Sequence, residues 1–147
     1  MKKREEELAR SLLEVLFVVM HHVAAEMRKS APPGFEPSQL RVLALLSKRS
    51  RILKELAACQ HVALPTMSRT ISSLVARGLV ERTEDPQDRR RVQLHVTDQG
   101  LAVLHELHSR AQELLAHKVS ALTPEEQKYL RAGLEALRKL FATEGKL

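Results

Sequence analysis

A set of short polar side chains and one arginine recurs at helical spacing in the middle of the chain. These residues are Thr66, Ser68, Arg69 and Ser72, and they follow Pro65 in the run P-T-M-S-R-T-I-S-S. Short donors and acceptors beside one long guanidinium suit a helix that approaches base edges in the major groove of DNA. The pattern also fits an ordinary amphipathic helix whose exposed face is rich in serine and threonine.

Three consecutive arginines, Arg89, Arg90 and Arg91, form a second group, and Asp88 precedes them. They lie between two β-type runs, so we predict that they project from the tip of a hairpin. A narrow positive projection fits a minor groove, where A·T-rich narrowing deepens the negative potential. The alternative is a charged loop that contacts only solvent.

The positive charge of the chain is confined to the segment that contains both groups. The formal net charge is +6. Residues 40–96 hold eleven Lys/Arg and five Asp/Glu, residues 1–39 hold six of each, and residues 97–147 hold seven of each. Clustered basic groups release the counterions condensed on a phosphate backbone. The distribution therefore favours a module that binds double-stranded DNA over a winged helix that contacts only proteins.

The hydrophobic periodicity indicates which elements would position these residues. The predicted elements are a helix that begins after Pro37 with Ser38 as its cap, helices near 53–60 and 64–77 around a turn at 61–63, and strands near 79–82 and 92–96. Gly78 is expected to end the helix before the hairpin in a left-handed conformation. Helix, turn, helix and basic hairpin is the layout of a winged helix-turn-helix lobe, here residues 38–96.

The stretch between residues 41 and 54 is basic and contains no acidic residue. Its basic residues are Arg41, Lys48, Arg49, Arg51 and Lys54. We expect them either to contact DNA phosphates or to face solvent in a turn.

Long apolar helices are predicted on both sides of this lobe, over residues 4–29 and 98–143. Thr97 is the expected cap of the fifth helix, and Thr123 with Pro124 and Glu126 gives a strong start for the sixth. The lobe does not need these helices for its own core, so a twofold dimer interface is their simplest use. Packing of the terminal helices on one another in a monomer is the alternative. The predicted fold is one mainly α domain, 1–147, with a small β-hairpin wing.

Several function classes are not expected. The chain lacks a phosphate-binding glycine loop, a nucleophile elbow and a paired-carboxylate motif, so we predict neither an enzyme nor a cofactor. No C-x-x-C or H-E-x-x-H spacing indicates a metal site. No apolar run approaches the roughly 20 residues of a membrane span, and no signal-peptide layout is visible. The single cysteine, Cys59, excludes an intramolecular disulfide, and we expect a cytoplasmic protein without a membrane partner.

Two runs of the chain resemble the multiple antibiotic resistance regulator (MarR) family. One ends in R-G-L-V-E-R at residues 77–82, and the other is D-P-Q-D-R-R-R-V-Q-L-H-V-T-D-Q-G at residues 85–100. The order of six helices and one hairpin extends the resemblance over essentially the whole chain. The resemblance implies a homodimeric winged-helix transcription factor, usually a repressor of a near-palindromic operator. Twofold symmetry would then place the half-sites one helical turn apart, roughly 10 base pairs.

The resemblance also implies roles for individual residues. The fourth helix would read the major groove, Asp88 would pair with and orient an arginine of the wing tip, and Arg90 would enter the minor groove. The predicted DNA-binding residues are Pro65, Thr66, Ser68, Arg69, Ser72, Asp88, Arg89, Arg90 and Arg91.

Many proteins of this family bind a phenolic or carboxylate effector between the dimerisation helices and the winged lobe. The predicted polar residues near such an effector cavity are His21, His22, Arg41, His105 and His108. A zinc-responsive protein that uses these histidines and a redox-responsive one that uses Cys59 are the alternatives. Redox-sensing proteins of the family carry a reactive cysteine near the start of the first helix, and this chain has none there.

Overall fold

The computed structural model describes residues 2–142, which form six helices and one two-stranded hairpin. The elements are α1 (Lys2–Ser30), α2 (Pro37–Lys48), α3 (Leu53–Cys59), α4 (Leu64–Ala76), β1 (Val80–Glu84), β2 (Val92–Val96), α5 (Asp98–Ser120) and α6 (Pro124–Phe141). The mainly helical fold with a hairpin wing is therefore confirmed. The chain divides into two compact units, one up to Ala111 and one from Gln112 onward.

Three short helices and the hairpin build the core of the first unit. Its buried side chains include Val42, Leu43, Leu46, Leu56, Met67, Ile71, Leu74, Leu79, Val80, Leu94 and, from α5, Leu104. The three residues from α4 are spaced four and three apart, so they lie on one side of that helix. Burial of this side leaves the opposite side of α4 facing outward.

The wing pairs in an antiparallel register from Val80↔Val96 to Glu84↔Val92. Arg51 extends this pairing, since its N–H donates to the Leu94 carbonyl oxygen at 3.2 Å and its own carbonyl accepts from the Leu94 N–H at 2.9 Å. Its side chain is only 4% exposed. Arg51 therefore neither contacts phosphates freely nor lies in a solvent-facing turn, in contrast to our expectation for the basic stretch.

The start of α2 also differs from the prediction. Pro37 is the first residue of the helix and Glu36 is its N-cap, so the assignment of Ser38 as the cap is wrong. The side-chain oxygen of Gln39 accepts the Glu36 N–H at 2.9 Å. This bond supplies a partner for a backbone N–H that the helix itself cannot satisfy.

The end of α4 and the starts of α5 and α6 follow the local capping chemistry that the sequence predicts. Gly78 has φ +72°, the left-handed conformation expected after α4. Thr97 Oγ1 accepts the Gly100 N–H at 3.1 Å, and Thr123 Oγ1 accepts the Glu126 N–H at 3.2 Å. The Thr123 N–H donates back to the Glu126 carboxylate at 2.8 Å and holds the pKa of Glu126 below its usual value. The ionised carboxylate is thus the form that stabilises this helix start, and the stabilisation is lost as the pH falls.

Candidate nucleic-acid interface

The outward side of α4 is polar and accessible. Pro65, Thr66, Arg69 and Ser72 are exposed, and Ser68 is half-buried. All five lie away from the side that packs on the core, which contains Met67, Ile71 and Leu74. The helix therefore presents short hydroxyls and one guanidinium together, as a helix in a major groove would.

Ser72 is held by a residue that was not among the predicted DNA-binding residues. The Arg82 guanidinium, on β1, donates to Ser72 Oγ at 3.1 Å. Arg82 and Ser68 also line a groove of about 200 Å³ between α4 and the wing. Arg82 thus adds a positive charge where α4 and the wing meet. The R-G-L-V-E-R run contains this residue, but its position beside Ser72 depends on how the hairpin folds back on α4.

The backbone of the wing tip is organised by two aspartates. Asp85 Oδ1 accepts the Gln87 N–H at 2.9 Å, and Asp88 Oδ1 accepts the Arg90 N–H at 3.0 Å. The Asp85 N–H also donates to the Arg91 carbonyl oxygen at 2.9 Å, which closes the loop. The structure therefore differs from the expectation that Asp88 pairs with an arginine side chain. Asp88 orients Arg90 through the main chain instead, because the short aspartate side chain reaches an N–H two residues ahead.

The tip arginines, Arg89, Arg90 and Arg91, are all exposed. None of the ion pairs formed within residues 2–142 involves them. Their guanidinium groups are therefore not paired with a carboxylate in the part of the chain that the structure describes. Five donors on each planar group suit contacts with phosphates and with the floor of a minor groove.

A mostly apolar cavity of about 210 Å³ lies elsewhere in the same unit. Its apolar wall includes Met20, Val23, Met27, Phe35, Leu40 and Leu107, and its charged residues are Arg28, Glu36 and Arg41. An aromatic ring could pack on the apolar wall while an arginine pairs with a carboxylate.

Of the five residues predicted near an effector, only Arg41 lines this cavity. His21, His22, His105 and His108 are exposed and do not line it. Leu107 is buried and lines the cavity. His108 and His105, one and two positions away from it, therefore point to other faces of α5. Helical periodicity could not decide which face of α5 turns toward the cavity, and the prediction chose the polar one.

The two alternatives, a zinc-responsive and a redox-responsive protein, depend on a cluster of metal ligands and on Cys59. No group of three or more histidine, cysteine or acidic side chains suited to a metal ion occurs between residues 2 and 142. Cys59 is half-buried, and its sulfur accepts from the Arg51 guanidinium at 3.6 Å. This contact ties α3 to the strand-like segment before it.

The surface of α1 is unusually apolar for a helix that faces solvent. None of its described residues is buried, and Phe17 is 75% exposed. By length and composition alone the helix could cross a membrane, since it has 29 residues and its most apolar stretch has a mean hydropathy of 1.5. The expectation concerned uninterrupted apolar runs, and it is compatible with this helix because Arg10 and Glu14 interrupt its apolar residues. A helix that buries its apolar side against a second protein chain passes the same test.

Comparisons with known proteins place these features in a family. A model of the MarR family matches residues 34–91, which include α2, α3, α4 and the wing tip. The chain is 29% identical over 146 residues to the uncharacterised HTH-type transcriptional regulator YkoM of Bacillus subtilis, with 95% of each chain covered. It is 29% identical over 126 residues to the HTH-type transcriptional repressor MdtR of the same organism, with 84% of this chain and 81% of MdtR covered.

The fold is similar to solved structures over almost the whole chain. The transcriptional regulator Tm0710 of Thermotoga maritima superposes with a TM-score of 0.80 at 25% identity. The superposition covers 95% of this chain and 96% of Tm0710. The flanking helices, and not only the winged lobe, are therefore part of the shared architecture.

Proposed function

We propose, since the chain belongs to the MarR family of DNA-binding transcriptional regulators, that it acts as a homodimeric repressor of a near-palindromic operator. The observation that carries this proposal is the arrangement of one lobe. The polar side of α4, Arg82 and the three tip arginines share that lobe, and its segment holds the whole net charge of the chain. Repression is supported by the relative MdtR, which is named as a repressor.

The contacts follow from the chemistry of each element. Arg69 and the hydroxyls of Thr66, Ser68 and Ser72 would meet base edges or nearby phosphates in the major groove. Arg90 would enter the minor groove, with Arg89 and Arg91 on the flanking phosphates and Asp88 holding the tip in shape. Pro65 brings the start of α4 close to the DNA without an N–H that needs a partner.

The apolar surface of α1 supports a dimer. Large exposed apolar side chains on one helix mark a protein interface or a membrane contact. Charged residues interrupt the apolar stretch at Arg10 and Glu14, and a charge near the centre of a bilayer costs about 2.5–3.5 kcal/mol. A second copy of α1 tolerates these groups at the rim of an interface, so we favour twofold pairing in the cytoplasm. On α6, Tyr129, Leu134 and Leu140 are also exposed.

Replacement of a tip arginine tests the DNA contacts. Arg90→Ala should weaken binding to every duplex, by about tenfold where the minor groove is A·T-rich and by less elsewhere. Arg69→Ala should reduce the difference in affinity between selected and random duplexes, because it reads bases. Fluorescence anisotropy with duplexes selected from a random pool measures both effects.

The matched control is Arg131→Ala, which removes an exposed arginine from α6. It should leave DNA affinity within about twofold of the wild type, since that segment has no excess of charge. Equal losses in Arg90→Ala and Arg131→Ala would show that only total charge matters. If Arg69→Ala loses the same factor in affinity for all duplexes, Arg69 contacts the DNA backbone and does not read bases.

The cavity beside α1 is the site we propose for a small aromatic carboxylate effector. Its apolar wall and the guanidinium groups of Arg28 and Arg41 match the two ends of such a molecule. Benzoate is the simplest probe, and it should lower the affinity of the protein for its selected duplex. If benzoate lowers the DNA affinity of the wild type but leaves the DNA affinity of Arg41→Met unchanged, the role of Arg41 is confirmed. A wild type that keeps its full DNA affinity at millimolar benzoate would rule this ligand class out.

A further inference from the structure

Gln39 is one of two polar side chains that are buried among the described residues, and it is 4% exposed. Both ends of its amide are used. Its oxygen accepts the Glu36 N–H at 2.9 Å, and its nitrogen donates to Ser73 Oγ at 2.9 Å. A buried amide is costly unless it is satisfied. This one is satisfied by joining α2 to a residue of α4 that is 34 positions away.

Ser73 lies on the flank of α4 beside the side that would face DNA. It follows Ser72 directly and is four residues, about one turn, from Arg69. The apolar contacts of Met67, Ile71 and Leu74 bury one side of α4, but apolar attraction has no direction. The hydrogen bond from Gln39 does have a direction, so it fixes how far α4 is turned about its own axis.

A second hydrogen bond holds the same flank one turn later. The Arg77 guanidinium donates to the Pro33 carbonyl oxygen at 3.0 Å. Pro33 and Glu36 belong to the segment between α1 and α2, where Gly34 has φ +69°. The two bonds therefore hold Ser73 of α4 on the first turn of α2, and Arg77, the C-cap of α4, on the loop before α2.

Small rotations of α4 matter for reading bases. A turn of about 10° moves a side-chain tip by about 1 Å at the outer radius of a helix, which is about 5–6 Å. Hydrogen bonds to base edges need distances of about 2.7–3.2 Å. An error of about 1 Å removes the advantage of the correct base while leaving salt-dependent attraction to phosphates in place.

We propose that Gln39 is a positioning residue for DNA recognition, which acts through Ser73 to set the rotation of α4. Gln39 acts without contacting DNA itself, because its side chain is 4% exposed and both ends of its amide already have partners. The inference rests on the proposed function, since it assumes that α4 reads bases. It assigns to α2 a part in choosing the operator in addition to its part in the core.

The test uses Gln39→Met, which keeps the length of the side chain and removes both hydrogen bonds. Affinities are measured for a selected duplex and a random duplex of the same length, with thermal unfolding followed in parallel. Gln39→Met should lose about tenfold in affinity for the selected duplex and less than about twofold for the random one. Ser73→Ala should show the same selective loss, whereas Ser73→Thr, which keeps the hydroxyl, should behave as the wild type.

A double variant separates positioning from simple destabilisation. If the two side chains act through one bond, the double variant of Gln39→Met and Ser73→Ala should keep the same ratio of affinities for the selected and random duplexes as Gln39→Met alone. Additive losses, or equal losses on both duplexes, would overturn the inference. If Gln39→Met does not fold, Ser73→Ala against Ser73→Thr decides the question. A wild type that prefers no duplex would instead refute the proposed function, and this inference with it.

Discussion

Replacement of Phe17 by aspartate is expected to separate the proposed dimer and to weaken binding to the selected duplex by more than about 100-fold. Phe17 is the most exposed apolar side chain of α1, at 75%. An aspartate there would place an unpaired carboxylate inside the proposed apolar interface, which is costly. Linking two binding modules raises affinity by about 10²–10⁴ over one module, and a monomer loses this gain.

The matched control is Phe17→Leu, which keeps an apolar side chain at the same place. Sedimentation velocity gives the oligomeric state of each variant, and anisotropy titration gives its DNA affinity. Phe17→Leu should remain a dimer and bind as the wild type does. A dimeric Phe17→Asp, or a monomeric one that binds DNA as tightly as the wild type, would show that α1 does not join the two lobes.

Gly100→Ala is expected to destabilise the winged lobe by about 3 kcal/mol. A Cβ at Gly100 would collide with the Leu79 carbonyl oxygen and would lie 2.8 Å from the side chain of Val96. The Leu79 carbonyl cannot retreat easily, since it accepts the Thr97 N–H at 3.1 Å. The first turn of α5 can therefore pack this closely against the base of the wing only because Gly100 has no side chain.

Gly133→Ala is the control for this substitution. Gly133 lies in α6, and a Cβ there would meet no atom within 4 Å. Alanine should then stabilise the helix by roughly 0.5–1 kcal/mol, because glycine is a poor helix former. Urea unfolding followed by circular dichroism measures both changes. Similar stabilities for the two variants would contradict the close contact at Gly100.

Features that depend on local chemistry could be predicted from the sequence. The left-handed Gly78 and the cap at Thr123 involve residues within one turn of each other, so a short run of letters contains the whole interaction. The bounds of β2 were predicted correctly for the same reason, since its apolar and polar residues alternate cleanly. The family motifs then identified the class of protein, because they combine several such local features in a fixed order.

Features that depend on distant partners could not be predicted. Arg51 was expected at a surface, but its backbone pairs with Leu94, and nothing near Arg51 in the sequence indicates this. The same holds for Gln39, whose partner Ser73 is far along the chain, and for Arg82, which meets Ser72 only when the hairpin folds back. The cap at Glu36 was missed because Ser38 is the better capping residue by type, while the helix starts at Pro37 and its cap lies two positions before Ser38.

The predicted effector residues show a different limit. Arg41 lines the cavity, whereas His21, His22, His105 and His108 do not. The histidines were chosen because they are polar residues on apolar helices, but packing decides which side of each helix faces the cavity. The choice of contacts to DNA is still a prediction for every residue on α4 and the wing.

Titration of duplex DNA at several salt concentrations tests the central claim most directly. We predict that two protomers bind one selected duplex, and that the logarithm of affinity falls with the logarithm of salt concentration with a slope steeper than about −4. A random duplex of the same length should bind more weakly with a comparable slope. A protein that binds neither duplex in dilute buffer, or whose affinity does not change with salt, would contradict the claim that this basic lobe reads DNA.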